Sequence, residues 1–279
     1  MRWVVTGASG MLGRDVVEAA EQAGATVVPL TRADLDITDL VAARRALAGA
    51  DVVVNAAAYT AVDAAETDEG AAFLANGVGP AVLARAAVGA RLVQISTDYV
   101  FDGGATSPYD EDAPVAPRSA YGRTKAAGEW AVRAEHPDAL VVRTAWLYGA
   151  GGPCFPKTIA RVAAERGGLD VVDDQLGQPT WTRDLAALVV RLVEGRAPAG
   201  TYHGTASGRT SWHGFAQAVV AAAGLDPAIV RPTTSAAYSR PAPRPAYSVL
   251  GHRTLGAAGI EPIGAWDERW SLAAAEVLA

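Results

Sequence analysis

Near the N-terminus an apolar run, Arg2–Thr6, leads directly into Thr6-Gly7-Ala8-Ser9-Gly10-Met11-Leu12-Gly13, and a helical pattern over Leu12–Ala23 follows. Glycines spaced G-x-x-G-x-x-G between a strand and a helix leave few alternatives for the fold. The first permits a tight turn, the second lets backbone approach a pyrophosphate, and the third lets helix and strand close on each other. The helix N-terminus adds free N–H groups and a positive dipole end. Gly7, Ser9, Gly10, Met11, Leu12 and Gly13 are therefore expected to hold a dinucleotide.

The rest of the first half supports this context. Strand-like runs at Thr26–Leu30, Asp51–Asn55, Arg91–Ser96 and Leu140–Thr144 alternate with helical patterns at Leu40–Ala48, Ala64–Asn76, Pro80–Val88 and Tyr121–Glu135. Continuous apolar runs separated by helices predict parallel strands covered on both faces, an α/β doubly wound sheet of Rossmann-like type. Beyond residue 150 the pattern loosens. Helices are expected at Thr158–Arg166, Asp184–Glu194, Trp212–Ala223 and Ala265–Leu278, and a short strand at Gly200–Gly204. Asp226–Arg253 contains Arg240-Pro-Ala-Pro-Arg-Pro245, which suits neither a central strand nor a helix interior. It reads as an ordered loop in a smaller C-terminal α/β lobe. The expected division is 1–150 for dinucleotide binding and 151–279 mainly for substrate, with some chain returning to the first unit.

Composition narrows the partners. A net charge of −6 argues against nucleic acid. No apolar run reaches the roughly 18 residues of a membrane span. MRWVVTGASG has no long apolar leader core, and a single cysteine, Cys154, excludes an internal disulfide, so a cytoplasmic setting is expected. His203 and His213 lie in different elements without carboxylate or thiol at ligand spacing, so no metal is expected. Of 24 basic residues only Lys125 and Lys157 are lysines, which marks both positions as resistant to replacement by arginine.

Lys125 falls in Tyr121-Gly-Arg-Thr-Lys125. A phenol and an amine at i and i+4 share one helix face, and the ammonium is expected to lower the tyrosine pKa. Thr97 closes the Arg91–Ser96 strand, where α/β sheets place ligands, and offers a hydroxyl to a carbonyl. At the end of the second strand the chain reads Leu30-Thr31-Arg32 instead of an acidic residue. Arg32 can meet a 2′-phosphate, pointing to NADPH with NADH left open.

Together the glycine loop and Tyr121-x-x-x-Lys125 resemble the extended short-chain dehydrogenase/reductases. Val54-Asn-Ala-Ala-Ala-Tyr-Thr-Ala-Val-Asp63, Ser96-Thr-Asp-Tyr-Val-Phe101, Arg143-Thr-Ala-Trp-Leu-Tyr-Gly149 and Asp174-Gln-Leu-Gly-Gln-Pro-Thr180 narrow the resemblance to the dTDP-4-dehydrorhamnose reductase family. It implies NADPH-dependent reduction of the C4 ketone of a dTDP-linked 4-keto-6-deoxy sugar by a monomer or homodimer. Tyr121 would donate the proton, with Lys125 and Thr97 as its partners. Asp36, Ile37, Ala56, Ala57 and Ala58 would flank the adenosine half. Asp98, Tyr99 and Trp146 would touch the sugar, and Gln178, Arg244 and Lys157 would lie on the substrate side. Two positions depart from the family pattern: Thr31 replaces an acidic residue, and Tyr247 replaces an asparagine in Arg244-Pro-Ala-Tyr-Ser-Val-Leu250. The alternatives are an epimerase or dehydratase on the same fold, or a non-catalytic cofactor-binding subunit. A dehydratase would need a second carboxylate after Asp98, where Tyr99 stands.

Overall fold

A computed structural model describes all 279 residues. The first half comprises β1 (Arg2–Thr6), α1 (Met11–Gln22), β2 (Thr26–Leu30), α2 (Leu40–Ala46), β3 (Val52–Asn55), α3 (Val62–Ala65), α4 (Glu69–Phe73), α5 (Gly79–Ala86), β4 (Arg91–Thr97), α6 (Ala120–Glu135) and β5 (Leu140–Thr144). The second half comprises β6 (Leu147–Tyr148), α7 (Phe155–Arg166), β7 (Leu169–Val172), β8 (Leu176–Gly177), β9 (Thr180–Trp181), α8 (Thr182–Glu194), β10 (Gly200–His203), β11 (Ala206–Ser207), β12 (Thr210–Ser211), α9 (Trp212–Ala222), β13 (Val230–Thr233), α10 (Arg253–Ala257), β14 (Ile263–Ala265) and α11 (Trp266–Leu278). No helix is long and apolar enough to cross a membrane.

Six parallel strands form the main sheet in the order β10-β5-β4-β3-β1-β2. Strand order reverses between β1 and β3, which opens a crevice at their carboxyl ends. Alternate side chains feed two cores. Val5, Val54 and Val142 pack with Leu12, Val16, Leu185 and Leu188 on one face, while Val4, Val53 and Val141 pack with Ala43, Leu83 and Val132 on the other. A third core fills the C-terminal lobe, with Phe215, Val219 and Trp270 at its centre.

Four details refine the sequence reading. First, β2 lies at the sheet edge and is only half-buried, which accommodates Pro29. Second, the expected helix Ala64–Asn76 is broken into α3, α4 and a π-helical turn over Leu74–Val78. Third, β10 is the sixth strand of the main sheet and α8 covers that sheet, so the first unit draws on chain well beyond residue 150. Fourth, Asp226–Arg253 contains β13, which pairs in parallel with β7.

Candidate active site

A cleft of about 1280 Å³ runs along the carboxyl ends of β1, β3 and β4. One end is built from backbone. Gly7 adopts φ +72°, and a Cβ there would lie 2.6 Å from the Ala57 nitrogen. A Cβ on Gly13 would lie 2.1 Å from the Gly7 carbonyl oxygen. Only glycine lets β1, α1 and the chain after β3 meet so closely. The resulting cradle has the narrow shape that a pyrophosphate requires, so the residues present fit a nicotinamide dinucleotide. Every expected residue from Gly7 to Gly13, together with Arg32, Asp36, Ile37 and Ala56–Ala58, lines this cleft.

The end of β2 explains how the acidic positions are arranged. Asp34 does not face the cleft; its Oδ2 accepts from the Thr31 N–H at 2.8 Å and the Thr31 hydroxyl at 2.6 Å. Asp36 is held by the Thr38 N–H at 2.9 Å and the Thr38 hydroxyl at 2.7 Å, which keeps its carboxyl below its ordinary pKa. Arg32 is the cation on this wall.

At the other end, Thr97, Asp98, Tyr99, Tyr121, Lys125 and Trp146 converge on the same cleft. Ser119 caps α6 by accepting the Gly122 N–H at 3.1 Å, and Glu66 accepts the Ala120 N–H at 2.8 Å, so α6 begins in a fixed place. The Thr97 hydroxyl lies beside the Tyr121 phenol and donates to Asp98 Oδ1 at 2.9 Å. Tyr99 meets Tyr121 edge-on at 5.5 Å.

Burial corrects the expectation for the phenol. Tyr121 is pushed up to about 12, because loss of water around a phenolate outweighs the neighbouring hydroxyl. The tyrosine therefore stays protonated at neutral pH, the state a proton donor needs. Lys125 Nζ donates to the Ile95 carbonyl at 2.7 Å, and burial brings its pKa down to about 8 while Glu129 opposes the shift. Asp98, only 2% exposed, is pushed up to about 6 by burial, and its Oδ2 makes no hydrogen bond.

Sequence reasoning missed what lies behind these residues. Glu129, one turn after Lys125, receives the Arg143 guanidinium through two bonds of 2.9 and 2.8 Å, and Ser96 donates to it at 2.6 Å. Asn76, in the π-helical turn, takes the Tyr59 N–H at 2.8 Å and donates to the Tyr59 carbonyl and the Thr124 hydroxyl, each at 3.1 Å. It thereby ties one wall of the cleft to α6. The i, i+4 spacing of Lys125 and Glu129 was visible in the chain; the distant partners were not.

Trp146, at φ +48°, stacks on Trp212 with centroids 3.6 Å apart. Three expected substrate-side residues lie off the cleft wall. Gln178 is buried and holds Leu250 through its N–H (2.8 Å) and its carbonyl (3.2 Å). Lys157 donates to the Ala150 carbonyl at 2.8 Å. Arg244 pairs with Asp63 at 2.9 Å. Tyr247, at the departure from the family pattern, is buried against Tyr109, and its hydroxyl has no partner.

A parallel α/β sheet with a glycine cradle, and a Thr–Tyr–Lys constellation in one cleft, defines a nicotinamide-dependent enzyme of the extended short-chain dehydrogenase/reductase class. More narrowly, the chain belongs to the RmlD substrate binding domain family, which matches residues 1–278. It is 53% identical over 274 residues to a dTDP-4-dehydrorhamnose reductase of Streptomyces griseus, covering 95% of this chain and 90% of the relative. It is 50% identical to a probable dTDP-4,6-dihydroxy-2-methyloxan-3-one 4-ketoreductase of Streptomyces antibioticus, covering 100% of this chain and 96% of the relative. Among solved structures, a dTDP-4-dehydrorhamnose reductase of Bacillus anthracis in complex with NADP superposes with a TM-score of 0.94 at 35% identity, covering 99% of both chains.

Proposed function

We propose that this protein reduces the C4 ketone of a dTDP-linked 4-dehydro-6-deoxyhexose with NADPH, in the manner of dTDP-4-dehydrorhamnose reductases and related deoxysugar ketoreductases. The observation that carries this reading is the convergence of Thr97, Tyr121 and Lys125 on the cleft that also contains the glycine cradle. Relatives named as reductases of dTDP-linked 4-keto sugars support the substrate class. A cytoplasmic setting suits such an enzyme.

Bound NADPH supplies the hydride. The protein supplies orientation and a proton. Tyr121, protonated at neutral pH, gives its phenolic proton to the carbonyl oxygen as that oxygen gains charge. Thr97 donates a hydrogen bond to the same oxygen by turning its hydroxyl away from Asp98. Lys125 retains positive charge at neutral pH and stabilises the phenolate left on Tyr121. Arg32 favours NADPH by meeting the 2′-phosphate, and the Asp34 carboxylate is turned onto Thr31 and away from the cleft. Elimination is disfavoured because Tyr99 occupies the place where a dehydratase needs a second carboxylate.

The test is product identification after incubation with dTDP-4-keto-6-deoxy sugars and either NADPH or NADH. NADPH consumption with a reduced sugar product is expected. Redox-neutral conversion would favour an epimerase, and cofactor binding without turnover of any sugar would favour a regulatory subunit. Tyr121→Phe is expected to lower turnover by roughly 10²–10⁴-fold with NADPH binding preserved. Near-normal turnover in that variant would remove Tyr121 from the mechanism.

A further inference from the structure

Asp63 ends the segment Val54–Asp63, yet the reaction does not use it. It sits in the first turn of α3, and its chain neighbours Thr60 and Val62 line the cleft. Its carboxylate gathers three donors from one distant stretch of chain. The Ala242 N–H donates to Oδ1 at 3.2 Å, Arg244 Nη2 lies 2.9 Å from Oδ1, and Arg240 Nη1 lies 4.0 Å from Oδ2. All three belong to Arg240-Pro-Ala-Pro-Arg-Pro245.

Three prolines in six residues deprive this strap of N–H groups and of helical or ladder partners of its own. It must be held from outside, and the structure gives it two anchors. Asp63 is the first. The second is the turn at Gly103, where φ is +77° and an added Cβ would lie 2.6 Å from Pro245 Cα; the Tyr247 N–H donates to the Gly103 carbonyl at 3.0 Å. Ser248 follows and rests beside the buried carboxyl of Asp98 in the cleft wall. Arg244 itself donates through Nη1 to the Ala242 carbonyl at 3.2 Å and through Nη2 to Asp63. A guanidinium has five N–H groups, so donors remain for a further anion. Its charge acts on Tyr99, a wall residue of the cleft.

We propose that Asp63 is the positioning residue of the sugar-nucleotide side: by fastening the Arg240–Pro245 strap it aims the Arg244 guanidinium at an anionic group of the ligand. The anion is the diphosphate of the sugar nucleotide, a step that rests on the ketoreductase reading; the fastening of the strap does not. An ion pair with only a stability role would leave ligand affinity unchanged.

Asp63→Asn keeps an oxygen acceptor for the Ala242 N–H but removes the charge that fixes Arg244. In the full-length protein it is expected to weaken binding of dTDP, measured by calorimetry, by about five- to tenfold and to raise KM for the sugar nucleotide to a similar degree, with kcat and NADPH affinity within about twofold. Arg244→Met should weaken dTDP binding comparably, and the double variant should be no weaker than Arg244→Met alone. Asp63→Ala should in addition speed amide hydrogen exchange over residues 239–250. Wild-type dTDP affinity in Asp63→Asn, or penalties that add in the double variant, would overturn the proposal. If a variant folds poorly, Arg240→Gln and Arg244→Met read the same strap from its other side. A protein that binds dTDP in this Asp63-dependent way yet reduces no 4-keto sugar would refute the ketoreductase reading and leave the latch standing.

Discussion

The two ends of the cleft are made of different material. The cofactor end is backbone: glycines packed so closely that an added Cβ at Gly13 would lie 2.1 Å from a carbonyl oxygen. The substrate end is side chain: the Trp146–Trp212 stack, the Tyr99–Tyr121 contact and a proline strap held by a carboxylate. The first end is specified within some sixty residues of local βαβ chain. The second is assembled from segments far apart in sequence. An end built from backbone recognises a feature common to all dinucleotides, the pyrophosphate, and has little room to change. An end built from side chains can be altered residue by residue while the fold is kept, which suits a family whose members act on different sugars.

Paired glycine substitutions give the sharpest break in this comparison. Gly13→Ala drives a methyl group into backbone that cannot retreat, and is expected to cost about 1–3 kcal/mol of stability and to abolish measurable NADPH binding. Gly177→Ala places its Cβ 2.4 Å from the indole of Trp146, a side chain that can shift. That variant should keep NADPH affinity and lose sugar-nucleotide affinity. Calorimetric titrations with each ligand separate the two, and equal losses of both ligands in both variants would dissolve the distinction.

The pH dependence tests the seam between the ends. Lys125 has a folded pKa of about 8, below its ordinary 10.5, so its contribution to stability is complete above 10.5 and is lost as pH falls through about 8. Asp98 has a folded pKa of about 6, above its ordinary 3.8, so its contribution is present below 3.8 and is lost as pH rises through about 6. At neutral pH both are buried in their charged forms. Lowering the pH from about 7 to 5 should therefore recover stability from Asp98 in urea titrations, and Asp98→Asn should not show that gain. Turnover should fall as pH rises past about 8 and Lys125 loses its proton. A kcat/KM profile with no fall between about pH 7 and 9 would show that the Lys125 charge is not required.

A substitution at Arg32 tests the proposal that the backbone end uses one side chain to discriminate between cofactors. Arg32→Ala should weaken NADPH binding by about tenfold and leave NADH binding within about twofold, because only the 2′-phosphate loses a partner. Equal losses for both cofactors would mean that Arg32 meets the ring or the solvent instead.

These contrasts also explain what could be read from the chain. The strands β1 to β5 and their helices were legible because continuous buried runs and helical periodicity are local signals. Tyr121 and Lys125 were legible because four-residue spacing defines a helix face. The π-helical turn at Leu74–Val78 left no periodic mark, so α4 and its neighbours read as one helix. The β7–β13 pairing joins residues sixty positions apart through a strand containing Pro232, and nothing local announces it. The upward shift of Tyr121 was misread because spacing reveals a neighbouring charge but not the loss of water around a phenol.

Lys157 provides the smallest effect, and its contrast with Lys125 brings the comparison down to single residues. Scarcity alone marked Lys125 and Lys157 equally, but the fold separates them. Lys125 is 4% exposed in the cleft wall, one helical turn after Tyr121 on α6. Lys157 is off the wall, and its ammonium is bound to the Ala150 carbonyl at 2.8 Å, at the start of the glycine-rich turn that leads into α7. We propose that its task there is to hold a loop. Lys157→Met should therefore cost no more than about 1 kcal/mol of stability, with kcat unchanged and KM raised less than about threefold through loosening of Gly151 and Gly152 against Met11. Lys125→Met should abolish turnover while the protein stays folded, since removing a buried ammonium also removes its desolvation cost. A large loss of kcat in Lys157→Met would place the second lysine in the chemistry, and the substrate end would then depend on a residue that this geometry keeps out of the cleft.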